Sequence, residues 1–258
     1  LVYRRLKYPD GGIYAEIEDF SNPTIAERIN SYEDLFFIKS LADICYYNKI
    51  KASLFVPCMF QQQHDRRFKK NQSFELKLVA DVINSCDFES VTIFHPHSDV
   101  TEGLINDVHI LTNFVFIEPI INRLKVKEGR DLVLLSADAG GFKPLIKLAD
   151  ELEWSGDTES ASKSRDPETH KLTQKIGNTD FEGRDVLIVD DLCVYGGTFL
   201  GLAKLLRERN VGRLYLAVSH MTVQNPNPAL ETAFDRIFTT NSKYDSYSLN
   251  NLEITKII

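Results

Sequence analysis

The chain reads as an α/β protein of two units, each built on a mostly parallel sheet flanked by helices. Three observations predict this. Apolar runs of strand length alternate with helical patterns through both halves of the 258 residues. The run Val186-Leu187-Ile188-Val189 is apolar throughout, as a strand buried on both faces requires. It leads into Asp190-Asp191 and then, past Val194 and Tyr195, into Gly196-Gly197-Thr198 ahead of a helical pattern. Such a strand–loop–helix turn is where open parallel sheets bind ligands.

In chain order, Val2 and Leu6 lie in an alternating run that ends at the turn signal Tyr8-Pro9-Asp10-Gly11-Gly12. Residues 13–17 alternate again, so the turn joins two strands. Residues 32–47 carry apolar groups at helical spacing behind Ser31 as an N-cap, and 52–55 form a short strand stopped by Pro57. The polar, basic segment 61–70 reads by itself as a solvated loop. Residues 73–85 predict an amphipathic helix, and 90–94 a strand that delivers His95-Pro96-His97 to a sheet edge. A strand at 115–117 closes the first unit. The second opens with a buried strand at 131–136, the loop Ala137-Asp138-Ala139-Gly140-Gly141 and a helix over 143–152. The span 153–175 is polar and nearly free of aliphatic residues, which predicts a lid or a disordered insert outside the core. Strand 186–189, helix 199–209 and strands at 213–218, 235–239 and 252–257 complete the pattern. The expected boundaries are 1–120 and 121–240, with 241–258 returning to the first unit.

Composition narrows the function. Hydrophobic content of 43% and charged content of 26% are those of a globular protein, and a net charge of −7 speaks against a nucleic-acid partner. No apolar run approaches the roughly 18 residues needed to span a bilayer, so no membrane partner is expected. Cys45, Cys58, Cys86 and Cys193 form no CxxC pair, which suggests neither a zinc site nor a disulfide framework and points to a reducing, cytoplasmic setting. The sequence opens on Leu1 without a methionine.

The chemistry concentrates at 190–198. Glycines opening a helix leave backbone N–H groups for a phosphate. Asp190 and Asp191 would repel a phosphate, but they can accept hydrogen bonds from sugar hydroxyls or hold a metal's water. Sugar on the acids and phosphate on Gly196, Gly197 and Thr198 is the natural assignment; a tight turn with two solvated acids is the plain alternative. This stretch resembles the phosphoribosyl-diphosphate (PRPP) motif of the type I phosphoribosyltransferase fold, departing from it at Val194 and Tyr195, where the usual pair is Asp-Thr or Glu-Thr.

Further segments resemble, in order, those of the ribose-phosphate diphosphokinases, also called PRPP synthetases. Tyr8-Pro9-Asp10-Gly11-Gly12 is similar to a loop that reaches ATP's adenine across a subunit interface, and 57–67 to a segment at the ATP phosphates. Phe94-His95-Pro96-His97 resembles a metal site, 136–141 a Ser-Pro-Asp-Ala-Gly-Gly loop, and Lys163-Ser164-Arg165 the Lys-Arg-Arg of a catalytic loop. Ser219-His220 and Thr240-Asn241 match two later segments.

The resemblance implies two similar phosphoribosyltransferase-like domains. It implies transfer of the β,γ-diphosphate of Mg·ATP to the C1 hydroxyl of ribose 5-phosphate, giving PRPP and AMP. Lys163 and Arg165 would be catalytic. Asp190, Asp191, Val194, Tyr195, Gly196, Gly197 and Thr198 would hold the ribose phosphate. Tyr8, Asp10, Gln63, His64, Asp65 and Arg66 would bind ATP, and His97 and Asp138 would hold Mg²⁺. A homo-oligomer, dimer or hexamer, is implied as well. Gly12 stands for a family Glu, and Gln63-His64 for Arg-Gln, which removes a fixed positive charge from the ATP phosphates. Tyr195 suits stacking on a base, hence a larger acceptor such as ADP-ribose. A PRPP-using phosphoribosyltransferase and a catalytically silent regulatory subunit are the other readings.

Overall fold

The computed structural model describes residues 1–165, 172–177 and 179–258, with only the backbone described at 126–127, 163–165 and 172–174. It divides into a unit of residues 1–112 with Ile258, and a unit of residues 113–257.

In the first unit, β1 (Val2–Lys7) and β2 (Ile13–Asp19) form an antiparallel hairpin. Then follow β3 (Thr24–Ala26), α1 (Tyr32–Tyr47), β4 (Ser53–Val56), α2 (Glu75–Asn84), β5 (Ser90–Phe94), α3 (Val100–Leu104) and β6 (Val108–Leu111). The strands form a parallel sheet in the order β3-β4-β5-β6. Ser31 starts α1 by accepting the Asp34 N–H at 3.2 Å. The buried face of α1 (Leu35, Ile38, Leu41) shares one core with Leu76, Val79 and Ile83 of α2 and with Leu54 and Ile93 of the strands.

The second unit contains α4 (Phe114–Ile121), a π-helical turn (Asn122–Lys127), β7 (Leu132–Ser136), α5 (Ala139–Glu151), β8 (Thr158–Ser160), β9 (Ser162–Arg165) and β10 (Leu172–Lys175). It continues through β11 (Asp185–Cys193), α6 (Gly197–Arg207), β12 (Leu214–Met221), α7 (Leu230–Ala233), β13 (Arg236–Thr240) and β14 (Leu252–Thr255). Six strands form a wholly parallel sheet, β14-β13-β12-β11-β7-β8. All residues of β7 and β12 are buried, which is why those strands read as continuous apolar runs rather than alternating ones. Among the described residues no helix is long and apolar enough to cross a membrane.

The α/β class with parallel sheets is as expected, but several elements differ. Residues 115–117, expected as a strand, lie in α4, whose buried Phe116, Ile117, Ile120 and Ile121 recur at helical spacing. The polar span 153–175 is not all outside the core. Its β8 extends the sheet along β7, and Ala161 joins the second core. The closing segment was expected to return to the first unit; instead β14 lies along β13 in the second sheet. The strands β3 and β6 were not anticipated.

At the amino-terminal ends of the second sheet's strands, charges alternate in a chain. Arg123 pairs with Glu253 at 2.5 Å and Glu253 with Arg236 at 3.3 Å. Arg236 meets Glu128 at 3.1 Å, Glu128 meets Arg130 at 3.7 Å, and Arg130 meets Asp185 at 3.6 Å. Glu128 joins two arginines, and the Arg236 hydrogen bond holds its carboxyl below the ordinary range. Glu128→Gln is expected to cost about 1 kcal/mol, as a linked pair rather than an isolated surface bridge. The loss, read from denaturant melts, should shrink in molar salt.

Candidate active site

The acids and the glycine turn lie on either side of the carboxyl end of β11. Asp190 pairs in register with Val218 of β12 and Leu192 with His220, so β11 carries its pairing past both aspartates. Asp190 and Asp191 are half-buried, and the Asp191 N–H donates to Asp190 Oδ1 at 2.9 Å. Burial first, then the adjacent Asp191 carboxyl and the charge of Asp138, push the Asp190 carboxyl well above the ordinary carboxylate range. The two acidic loops therefore act on each other at this end of the sheet. Two neighbouring carboxylates, one partly starved of water, present oxygens for hydroxyl donors or a cation.

Asp138 ends the loop after β7 and caps α5, its Oδ1 accepting the N–H groups of Gly140 and Gly141 at 2.9 and 3.1 Å. A Cβ added at Gly141 would lie 3.9 Å from Asp190 Oδ1, so the two acidic loops approach each other there. The buried hydroxyl of Ser136 donates to the Asp138 carbonyl at 3.0 Å and lies 3.0 Å from the Ser160 hydroxyl on β8.

Gly196 caps α6 in the left-handed region at φ 85°. Its carbonyl accepts the Leu200 N–H at 3.0 Å, the first bond of the helix, and a glycine cap leaves no side chain over the first turn. Val194 and Tyr195 are exposed, Tyr195 by 66%, so the side chains that depart from the PRPP motif face solvent. A Cβ at Gly196 would come within 2.7 Å of Leu230 Cδ1, whereas at Gly197 it would meet nothing within 4 Å. Gly196→Ala is expected to cost about 2 kcal/mol through backbone strain and that clash. It should also erase the thermal shift given by a sugar phosphate. Gly197→Ala should be tolerated in the same melts.

Cys193 is buried behind this loop, and its thiol is pushed up to about 12, by burial first and by Asp190 second. A thiol raised this far is a poor nucleophile at neutral pH.

In the first unit, Tyr8 and Asp10 lie in the β1–β2 turn. The Tyr8 N–H donates to the Gly12 carbonyl at 2.8 Å, Asp10 Oδ1 accepts the Gly12 N–H at 3.0 Å, and the exposed Tyr8 ring stacks on Tyr14 at 4.6 Å. Gln63, His64 and Arg66 are exposed in the loop after β4. Asp65 is buried and receives Arg66 Nε at 3.0 Å. Burial acts to raise its carboxyl, but the Arg66 bond and the nearby His97 outweigh it and leave the group below its ordinary value. The exposed His97 joins this cluster through its backbone, donating to Gln62 Oε1 at 2.9 Å. Sequence reasoning settled on Gln63 and passed over Gln62. Gln62 is the one turned inward, 4% exposed, with Nε2 donating to Cys58 Sγ at 3.3 Å.

His97 belongs to the first unit and Asp138 to the second. Lys163 and Arg165 lie on β9, opposite Gln174 and Leu172 of β10, and their side chains fall outside the described residues.

A family model described as the phosphoribosyl transferase domain matches residues 116–248. Ribose-phosphate pyrophosphokinase 2 of Archaeoglobus fulgidus is 30% identical over 203 residues, 78% of this chain and 68% of that protein. The ribose-phosphate pyrophosphokinase of Mycoplasma pneumoniae is 30% identical over 189 residues, 70% of this chain and 56% of its own length. That of a Nostoc species is 24% identical over 252 residues, 92% of this chain and 73% of its own length. The structure of phosphoribosylpyrophosphate synthetase from Mycobacterium smegmatis matches with a TM-score of 0.83 at 18% identity, over 99% of this chain and 86% of that one, a likeness of fold.

Proposed function

The chain belongs to the ribose-phosphate pyrophosphokinase family and carries its phosphoribosyl transferase domain, and from that premise we propose that it transfers the β,γ-diphosphate of ATP to the C1 hydroxyl of ribose 5-phosphate. The observation that carries the reading is the juxtaposition at β11 of two sugar-accepting carboxylates with a helix that opens on glycine. A second support is the reach of the similarity. It extends over 92% of the chain with the Nostoc protein, so it includes the first unit, which a PRPP-consuming transferase would leave without a role.

In this mechanism Asp190 and Asp191 accept the ribose hydroxyls, and the backbone at Gly196, Gly197 and Thr198 receives the 5-phosphate. The C1 hydroxyl gives up its proton to solvent as its oxygen bonds to the β-phosphorus, and the bond to the oxygen bridging the α-phosphate breaks so that AMP leaves with that oxygen. No covalent enzyme intermediate is needed, since phosphoryl chemistry of this kind rests on positioning and charge neutralisation. Lys163 and Arg165 stabilise the charge developing on the phosphates. Tyr8, Asp10 and the 63–66 loop hold the nucleotide.

Mg²⁺ fits the carboxylate-rich second unit, where the crowding of Asp190 by Asp191 and Asp138 favours a hard cation with oxygen ligands. Asp138 would hold it in the second unit, and His97 is a separate candidate nitrogen donor in the first. Among the described residues no cluster of three His, Cys, Asp or Glu side chains forms a cage, so the substrate phosphates would supply the other ligands. When bound, the ion neutralises charge on the phosphates.

One observation favours a second acceptor. The family hydroxyl position is taken by Tyr195, whose ring is exposed beside the 5-phosphate loop and suits stacking on the base of ADP-ribose. AMP release from Mg·ATP should be measured with each acceptor alone. Turnover with ribose 5-phosphate supports the first reading, and turnover confined to ADP-ribose the second. No AMP with either would leave the regulatory-subunit reading. Assembly into a homo-oligomer belongs to the same proposal, and light scattering would test it.

A further inference from the structure

We propose that the segment 222–230 is a rigid brace that shapes the sugar-phosphate loop from behind, with Leu230 as its positioning residue. The inference rests on the reading of 190–198 as a sugar-phosphate site. A loop that receives an anion on its N–H groups must turn its carbonyl oxygens away, because a carbonyl facing the phosphate would repel it. Here the carbonyls that flank Val194 have partners in the segment after β12, the first by carrying the β11–β12 ladder one bond further. The Thr222 N–H donates to the Cys193 carbonyl at 2.9 Å, and the Asn227 N–H to the Tyr195 carbonyl at 3.3 Å.

The brace is stiff for reasons visible in its sequence. Asn227 stands between Pro226 and Pro228, whose rings fix φ and push the residue before each toward extended backbone. Asn227 Oδ1 accepts the Ala229 N–H at 3.0 Å, and its carbonyl accepts the Leu230 N–H at 3.1 Å. Leu230 then stands fully buried against Gly196, close enough that any β-carbon at Gly196 would have to displace it. Backbone hydrogen bonds orient the loop, and the leucine fixes how far Gly196 can retreat. Leu230 touches neither sugar nor phosphate in this account. It acts through Gly196.

The test uses the whole chain with Leu230→Ala. Ribose 5-phosphate and ATP binding are measured by calorimetry, and kcat and KM by AMP release. The expected result is a rise of about tenfold in Kd and KM for ribose 5-phosphate, the scale set by small misplacements of a binding group. The ATP Kd should be unchanged and kcat at saturation should stay within about threefold. An unchanged ribose 5-phosphate Kd, or parallel weakening of both ligands, would overturn the proposal. If the alanine variant does not fold, Leu230→Val carries the same test, because it stays buried and branched but withdraws the Cδ atoms from Gly196. Wild-type protein that binds no ribose 5-phosphate would fail the reading of the site itself. The brace would then be tested with ADP-ribose in the same arms.

Discussion

Asp190→Asn is expected to cut turnover sharply while making the ligand-free protein more resistant to heat. The two effects have one cause. In the wild type the Asp190 carboxyl is raised by burial and by its acidic neighbours, so its ionised form is unfavourable in the folded chain. A carboxyl with a raised folded pKa costs stability as pH rises from the unfolded value, about 3.9, to the folded one, and the cost is constant above that. The wild type therefore regains stability from this group as pH falls through the window between the two values. Asparagine has no such window. At pH 7.5 the variant should melt about 2 °C or more above the wild type, with the gap closing on acidification. Activity moves the other way. Losing a charged acceptor for the ribose hydroxyls, and one charge facing any cation, should lower kcat/KM by about 10²- to 10³-fold. Equal melting temperatures across the pH range would remove the repulsion argument. Retained activity would remove the sugar-binding role.

Lys163→Ala should lower kcat by about 10²- to 10³-fold while moving either KM less than threefold. A cation that meets charge appearing only in the transition state contributes little to ground-state binding. The backbone just before Lys163 is tethered to the second core. Lys163 follows Ala161, which is buried in the second core and donates its N–H to the Ser136 carbonyl at 3.0 Å. Ser136 also supports the Asp138 loop, so the start of β9 and one acidic loop share an anchor. Steady-state kinetics with both substrates check the prediction; undiminished kcat would discard it.

The second unit was legible in the sequence where burial on both faces wrote continuous apolar runs, as in β7, β11 and β12. Its acids and glycines were legible because parallel sheets place ligands at the carboxyl ends of strands. Edge elements were not. β8 is Thr158-Glu159-Ser160, with no apolar pattern, and exists through its register with β7. Residues 115–117 are short and apolar, a composition that strand and buried helix share. Gln62 and Gln63 look alike on paper. The left-handed turn at Gln61, φ 59°, precedes them, and only the first is buried, which local composition does not encode. The brace at 222–230 is not legible in the sequence because its partners are backbone carbonyls, and prolines by themselves read only as punctuation.

The six-stranded sheet has an electrical direction. Where its strands begin, Arg123, Glu253, Arg236, Glu128, Arg130 and Asp185 cancel one another link by link. Where β7 and β11 end, Asp191 and Asp138 crowd Asp190 and help to raise its carboxyl. Because every strand runs the same way, the two margins fall on opposite ends of the sheet: one carries the paired charges and the other the crowded acids. Ionic strength should therefore separate them, with added salt loosening the fold through the first margin and easing the crowding at the second.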